Sequence, residues 1–239
     1  MPATVTTPEV GRRLGSWWAW LTLALALASL ASIGLLEVRV DRVGKPTFLF
    51  LVWNLALAWV PFLLALGVAA VHRVRGPRPL LAVLGLGWLV FLPNAPYILT
   101  DFVHLRSRVG APLWFDALLI GTFAATGLAL GLASLLVVHH VVEARAGRVA
   151  GWVVAVTSLL LSVVGTYLGR FPRFNSWNVI TDPDGLVSVA LRRIGDPFGN
   201  PFLLRYAGAM SVLLLTSYLV AWLVARPLLR PVRAARVRG

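Results

Sequence analysis

The 239-residue chain contains no cysteine, which removes disulfides, thiolate metal sites and cysteine nucleophiles, and leaves the redox compartment undetermined. Lysine is reduced to Lys45, so the basic side chains are otherwise arginine. Acidic residues number nine against 22 basic ones, and charged residues make up only 13% of the chain. With 59% hydrophobic residues and a mean hydropathy of +0.82, there is too little polar surface to clothe a water-soluble domain. A net charge of +13 would suggest nucleic acid in a soluble protein. Here the arginines punctuate apolar runs and form no continuous stripe, so topology control and contact with lipid headgroups are expected, and no nucleic-acid partner. Phosphate-binding Gly-Lys loops, zincin motifs and nucleophile elbows are missing as well.

What the chain does have is six uncharged, mostly apolar runs, at 14–36, 46–71, 79–100, 117–142, 149–169 and 206–225. A helix rises about 1.5 Å per residue and the hydrocarbon core is about 30 Å thick, so about 20 apolar residues cross it. Runs of 20 to 26 residues all qualify. The expectation is an all-α, polytopic bundle of six transmembrane helices, a single domain over 1–239 with basic tails at 1–13 and 227–239. The first run follows Arg12 and Arg13 as a signal peptide would, and Ala28, Ser29 and Ala31 could pass for a cleavage site. Its length exceeds the ~7–15 residues of a signal core, so it reads as an uncleaved anchor, with Trp17, Trp18 and Trp20 in an interfacial belt. Basic residues are slightly more numerous on the tails and the even-numbered loops, and the C-terminal cluster Arg226, Arg230, Arg233, Arg236 and Arg238 weighs more than a long fifth loop. Both termini are therefore expected in the cytoplasm. In the fourth run Gly127 and Gly131 form a GxxxG pair, read as a packing seam within the bundle in preference to a dimer interface.

Polar chemistry collects in two places. The first is Phe91-Leu-Pro-Asn-Ala-Pro-Tyr97, where Pro93 and Pro96 delete two backbone donors inside an apolar run. The third helix should break there, facing the bundle interior, with Asn94 supplying replacement hydrogen bonds; a helix end at the interface is the plainer alternative. Tyr97, Thr100, Asp101 and His104 follow, and Asp101 and His104 at i, i+3 share a face if the helix resumes. Polar groups at membrane depth are expensive and mark sites, although Asp101 could simply cap a helix or pair with Arg106 or Arg108. Asp116 lies across the third loop. The second place is Gly169-Arg-Phe-Pro-Arg-Phe-Asn-Ser-Trp-Asn178. Arg170 and Arg173 beside Asn175, Ser176 and Trp177 offer forked cations, amide donors and an aromatic platform suited to a phosphate or carboxylate, against the alternative of plain interfacial anchoring. The first, third and fifth loops share one side of a six-span bundle, so these residues can converge, with Asn54 entering from the same side. Asp101, His104 and Asp116 make a hard-ligand set for a metal, but without the short fixed spacing that would name one; no cofactor is specified. Asp182-Pro-Asp-Gly185 begins like a calcium loop but has Arg193 where a bidentate Glu is required, so it is a turn. His139 and His140 are adjacent and point to different helix faces, which disfavours joint metal ligation. Val187, Ala190, Leu191 and Ile194 fall on one side of a short interfacial helix in the fifth loop.

Trp53-Asn-Leu-Ala-Leu-Ala-Trp59, the PNAPY-x-x-TD string through His104, Trp114-Phe-Asp116, and Tyr167-Leu-Gly-Arg-Phe171 with Arg173 and Asn175-Ser-Trp177 resemble a bacterial multi-span membrane family catalogued as domain of unknown function 1361. The resemblance runs from about Trp53 to Pro201. It implies a bacterial plasma-membrane protein and reinforces the site candidates, without supplying a reaction. The family's second string carries Asp where this chain has Asn178, so that position is not an acid or base here. Three functions are compatible with the residues. One is a binding or accessory protein that holds a lipid headgroup, an anionic ligand or a membrane protein partner through Arg170, Arg173 and Trp177, with Asn175 and Asn94 fixing geometry. Another is an enzyme on a lipid or lipid-linked substrate, with Asp101 as base, His104 as its acid-base partner and Arg170 stabilising negative charge. The third is a small permease gated at the broken helix.

Overall fold

The computed structural model describes residues 8–107, 110–195 and 199–229, and every element in them is helical. The ends of both basic tails (1–7 and 230–239) and Arg108 lie outside the described residues, so the tail arginines from Arg230 onward carry no structural account. Six helical stretches are long and apolar enough to cross a membrane, and together they form a multi-pass bundle. They are α1 (Pro8–Val43), α2 (Phe50–Arg73), the third span beginning with α3 (Arg78–Phe91), α5 (Leu113–Ala146), α6 (Arg148–Arg170) and α9 (Pro201–Leu229). The third span continues through the single-turn α4 (Asn94–Tyr97) into a 3-10 helix, Ile98–His104. Between α6 and α9 lie the short α7 (Asn178–Thr181) and α8 (Pro183–Gly195).

The fifth helix is the axis of the molecule. It packs on α1, α2, α4, the 3-10 helix, α6 and α9, and 67% of its most apolar stretch is buried against 17% for α9. Two apolar cores flank it. Leu25, Leu51, Phe62, Ile98 and Phe123 fill one, between α1, α2 and the end of the third span; Trp88, Leu135, Leu159, Val163 and Tyr218 fill the other, between α3, α6 and α9. Because lipid tails are as apolar as leucine, close packing and interhelical hydrogen bonds hold such a bundle. Serines and threonines supply several: Trp59 Nε1 donates to Ser29 Oγ at 3.1 Å, Trp88 Nε1 to Ser134 Oγ at 3.1 Å and Tyr206 Oη to Thr166 Oγ1 at 2.9 Å.

One element limit and the facing of one helix differ from the expectation. The first apolar run ends at 36, but α1 continues to Val43, because Leu25, Ser29, Ser32, Leu36 and Arg39 form one buried stripe at alternating steps of four and three residues. Residues 37–43 are thus helix, not loop. In the fifth loop α8 forms as expected, capped by Asp182, whose Oδ1 accepts from the Gly185 N–H at 3.1 Å, with Pro183 at the first helical position. Its apolar side divides differently from the expected set. Leu186 and Ala190 turn to the protein, while Val187 and Leu191 are exposed; the Ile194 side chain is outside the description.

The break in the third span is real and has a local cause. Pro93 and Pro96 cannot donate, and the Ala95 N–H goes to Leu92 O at 3.1 Å, one residue short of the α-helical pattern. Phe91 O is left without its helical donor, and Asn94 Nδ2 replaces it at 2.9 Å. The irregular turn is wedged between two small-residue seams. A Cβ on Gly127 would fall 2.9 Å from Ala95 O and one on Gly131 would fall 2.8 Å from the Ala95 Cβ. On the other side, a Cβ on Gly165 would lie 2.6 Å from Pro93 Cγ and one on Gly169 3.1 Å from Tyr97 Cε2. The α5 GxxxG pair is therefore an internal seam, as expected, and α6 carries a second pair at the same spacing.

Candidate functional site

Tightening of the chain after the break aligns the polar residues. In a 3-10 helix positions i and i+3 eclipse, so Ile98, Asp101 and His104 lie on one line and Tyr97 and Thr100 on the next. Thr100 Oγ1 donates back to Tyr97 O at 2.6 Å. Arg170, the last residue of α6, reaches across to both lines. Its Nε donates to Thr100 Oγ1 at 2.7 Å, its Nη1 to His104 Nε2 at 3.2 Å, and its Nη2 to Asp101 Oδ1. Its guanidinium also stands 4.7 Å from the centre of the Tyr97 ring. Asn54 Nδ2 donates to the other oxygen of Asp101 at 2.8 Å. Asp101 is 1% exposed, so its two oxygens are spent on Arg170 and Asn54 inside the protein. A guanidinium only donates, so His104 Nε2 accepts and the imidazole is the neutral Nδ1–H form in this arrangement. Phe50 meets the same ring edge-on at 5.0 Å.

Asp116 is elsewhere. It was expected to converge with Asp101 and His104, but the extension of α1 brings Arg39 to it, with Nε donating to Oδ1 at 2.6 Å and Nη2 to Oδ2 at 3.1 Å. Both side chains are 1% exposed, and the Arg39 guanidinium lies 4.4 Å from the centre of the Phe48 ring. Consistent with this separation, no three of His, Cys, Asp and Glu gather to hold a metal among the described residues. Nor does Asp101 take Arg106 as partner; Arg106 is exposed.

The segment after α6 separates the second group of candidates. Arg170 turns inward, while Arg173 is exposed and adopts a left-handed backbone with φ 66°. That turn lets the Phe174 N–H return to Leu168 O at 3.1 Å and brings Phe174, Asn175 and Ser176 back against the bundle. Ser176 Oγ accepts from Asn94 Nδ2 at 2.8 Å, tying this segment to the break. Asn178 is structural: its Oδ1 accepts from the Asn175 N–H at 2.6 Å. Trp177 stays exposed at the surface.

Between α2, the end of α3, α6 and this segment is a cavity of about 350 Å³. Leu57, Leu89, Val90, Leu161 and Val164 line its deeper part; Asn54, Asn94, Tyr97, Asn175 and Ser176 line the end nearest the loops; and Val179 and Leu186 from α7 and α8 close over it. Trp53, 60% exposed, and Leu161, 46% exposed, stand at its edge, so it opens sideways toward the lipid. Five of the residues singled out by sequence thus share one cavity. Asp101, His104 and Arg170 form the braced wall behind it, and Arg173 and Trp177 lie on the outer surface. Residues not anticipated are Arg39, legible in the buried stripe of α1, and Gly165 and Gly169, legible in the GxxxG spacing already recognised in α5.

No curated protein and no solved structure matches the chain. The family described as Protein of unknown function (DUF1361) matches residues 53–222, from the cavity-edge Trp53 through most of α9, and leaves α1 with Arg39 outside the matched stretch. That match covers well over half of the sequence, and this chain, with its six candidate membrane spans, belongs to that family.

Proposed function

We propose that the protein binds one membrane amphiphile, a lipid or lipid-linked molecule, in the cavity between α2, α3 and α6. The observation that carries this reading is the gradient of its lining. Aliphatic side chains from Leu57, Leu89, Leu161 and Val164 give way over about 12 Å of α6, from Leu161 to Gly169, to the polar groups of Asn54, Asn94, Tyr97 and Ser176. A pocket that is apolar over most of its wall, with a few convergent polar groups and a volume of 350 Å³, falls in the range of small-molecule sites. The sideways opening suits a ligand that arrives from the bilayer, with its chain in the aliphatic part and its headgroup near the loops. On the basic C-terminal cluster, that end faces away from the cytoplasm of a bacterial plasma membrane.

The geometry favours positioning roles for Asp101, His104 and Arg170 over the acid-base roles their chemistry suggests. Neither Asp101 nor His104 is among the residues lining the cavity, and Asp101 offers both oxygens to protein donors. The test is lipid carried through purification, quantified by native mass spectrometry, in wild type and in Val164→Trp, which fills the aliphatic part. Wild type should carry about one amphiphile per chain and Val164→Trp almost none. Equal retention in a folded variant removes the reading.

A further inference from the structure

The polar end of the cavity is built from amides whose orientation is fixed. Asn94 Nδ2 donates to Phe91 O at 2.9 Å and to Ser176 Oγ at 2.8 Å, which uses both of its hydrogens. Phe91 O can only accept, so the nitrogen and oxygen of Asn94 cannot be exchanged. Asn54 is fixed in the same way, because its Nδ2 faces the carboxylate of Asp101 at 2.8 Å. Asn94 therefore has only its carbonyl oxygen, an acceptor, left to offer a ligand, while Asn54 keeps one N–H beside its oxygen. Arg170, next in sequence to the lining residue Gly169, is paired with Asp101 behind the wall and is not among the lining residues. The lining itself therefore carries no net charge: two amide acceptors from Asn54 and Asn94, the Ser176 and Tyr97 hydroxyls, and the Asn175 amide.

Resting on the lipid-binding reading above, we infer that the headgroup this cavity takes is neutral and rich in hydroxyl groups, as in a glycosylated diacylglycerol. A bare phosphate or carboxylate brings only acceptors, and against Asn94 Oδ1, whose amide hydrogens are both used, it places lone pair against lone pair. Its charge would also lose hydration without gaining a free cation inside the cavity. A sugar hydroxyl donates to that oxygen and accepts from Ser176 and Tyr97, and a sugar ring stacks its apolar face on an aromatic such as Tyr97. Arg173, exposed on the outer surface in its left-handed turn, stands outside this discrimination.

The experiment uses the full chain, purified in an amine-oxide detergent so that the micelle supplies no sugar. It is exchanged against equimolar monoglycosyl diacylglycerol and phosphatidic acid with identical acyl chains, and the bound lipid is read by native mass spectrometry. The inference expects the glycolipid to be retained about tenfold over phosphatidic acid, the effect of one or two unmatched hydrogen bonds. In Asn94→Ala that preference, read as the ratio of the two lipids among the bound molecules, should fall toward one. Where Asn94→Ala does not stay monodisperse, Ser176→Ala, which releases the Asn94 amide, takes its place with the same expected fall. Equal retention of the two lipids, or preference for phosphatidic acid, overturns the headgroup inference and leaves the lipid cavity standing. If Val164→Trp or the facing Leu89→Trp keeps full lipid occupancy, the underlying reading fails instead. Displacement of the glycolipid by millimolar free monosaccharide would likewise overturn the lipid reading, because the chain would then contribute nothing.

Discussion

At the scale of single residues, the fold turns on two ion pairs made across long stretches of sequence. Arg39 with Asp116 and Arg170 with Asp101 each bury a carboxylate at 1% exposure. Taking a charge out of water is costly, and what keeps it folded is the partner's fork geometry; removing one member strands the other. Asp116→Ala should therefore lower unfolding stability in detergent by about 3–5 kcal/mol, while the double replacement Arg39→Met, Asp116→Leu recovers most of that loss. Equal loss in the single and double variants would show that the pair is not coupled. The sequence marks Asp101 as expensive where it stands, because an acid beside apolar residues needs a partner. It does not say which arginine, since the pairing with Arg170 across 69 positions is set by where α6 ends against the third span. Arg39 was more legible than it looked. It continues the buried stripe of Ser32 and Leu36, and a charge on a buried stripe implies an opposite charge opposite it.

At the scale of elements, the third span shows what proline does and what it leaves open. Pro93 and Pro96 dictate that the α-helical ladder fails, and Asn94 between them is the residue able to mend it. The spacing could not show that the chain would tighten into a 3-10 helix and stay on course, so that α3, α4 and Ile98–His104 make one span. The other hydrogen of Asn94 reaches Ser176 in the segment after α6. Asn94→Ala should therefore speed amide hydrogen exchange at residues 174–176 together with residues 91–97, because one side chain holds both stretches. Acceleration confined to the third span would mean that Phe174 N–H to Leu168 O suffices to hold the segment. The α8 helix was legible in its existence, from the Asp182-Pro183 start, but not in its facing. A helix of 13 residues with apolar groups on more than one side can present either to the protein, and the position of the cavity, a tertiary fact, assigns Leu186 inward.

At the scale of the whole molecule, the six spans were the most legible feature, since length and apolarity alone decide them. Which span is central was not, because every run is apolar and hydropathy does not separate lipid-facing from protein-facing leucine. The small residues of α5, Gly127 and Gly131, held that information. The slight charge bias predicts an orientation that a fusion experiment decides. A C-terminal fluorescent reporter should be bright and a C-terminal phosphatase inactive, whereas a phosphatase fused after Asp182 should be active; the reverse pattern turns the cavity toward the cytoplasm. One further consequence belongs to the wedged turn of the third span. With Gly127 and Gly131 pressed on one flank, and Gly165 and Gly169 on the other, Ala95 and Pro93 have no space to swing into. The kink is thus a rigid joint and not a pivot. On the lipid-binding proposal, room for an entering molecule therefore has to be made at the surface segment that carries Phe174, Val179 and Leu186, and not at the kink.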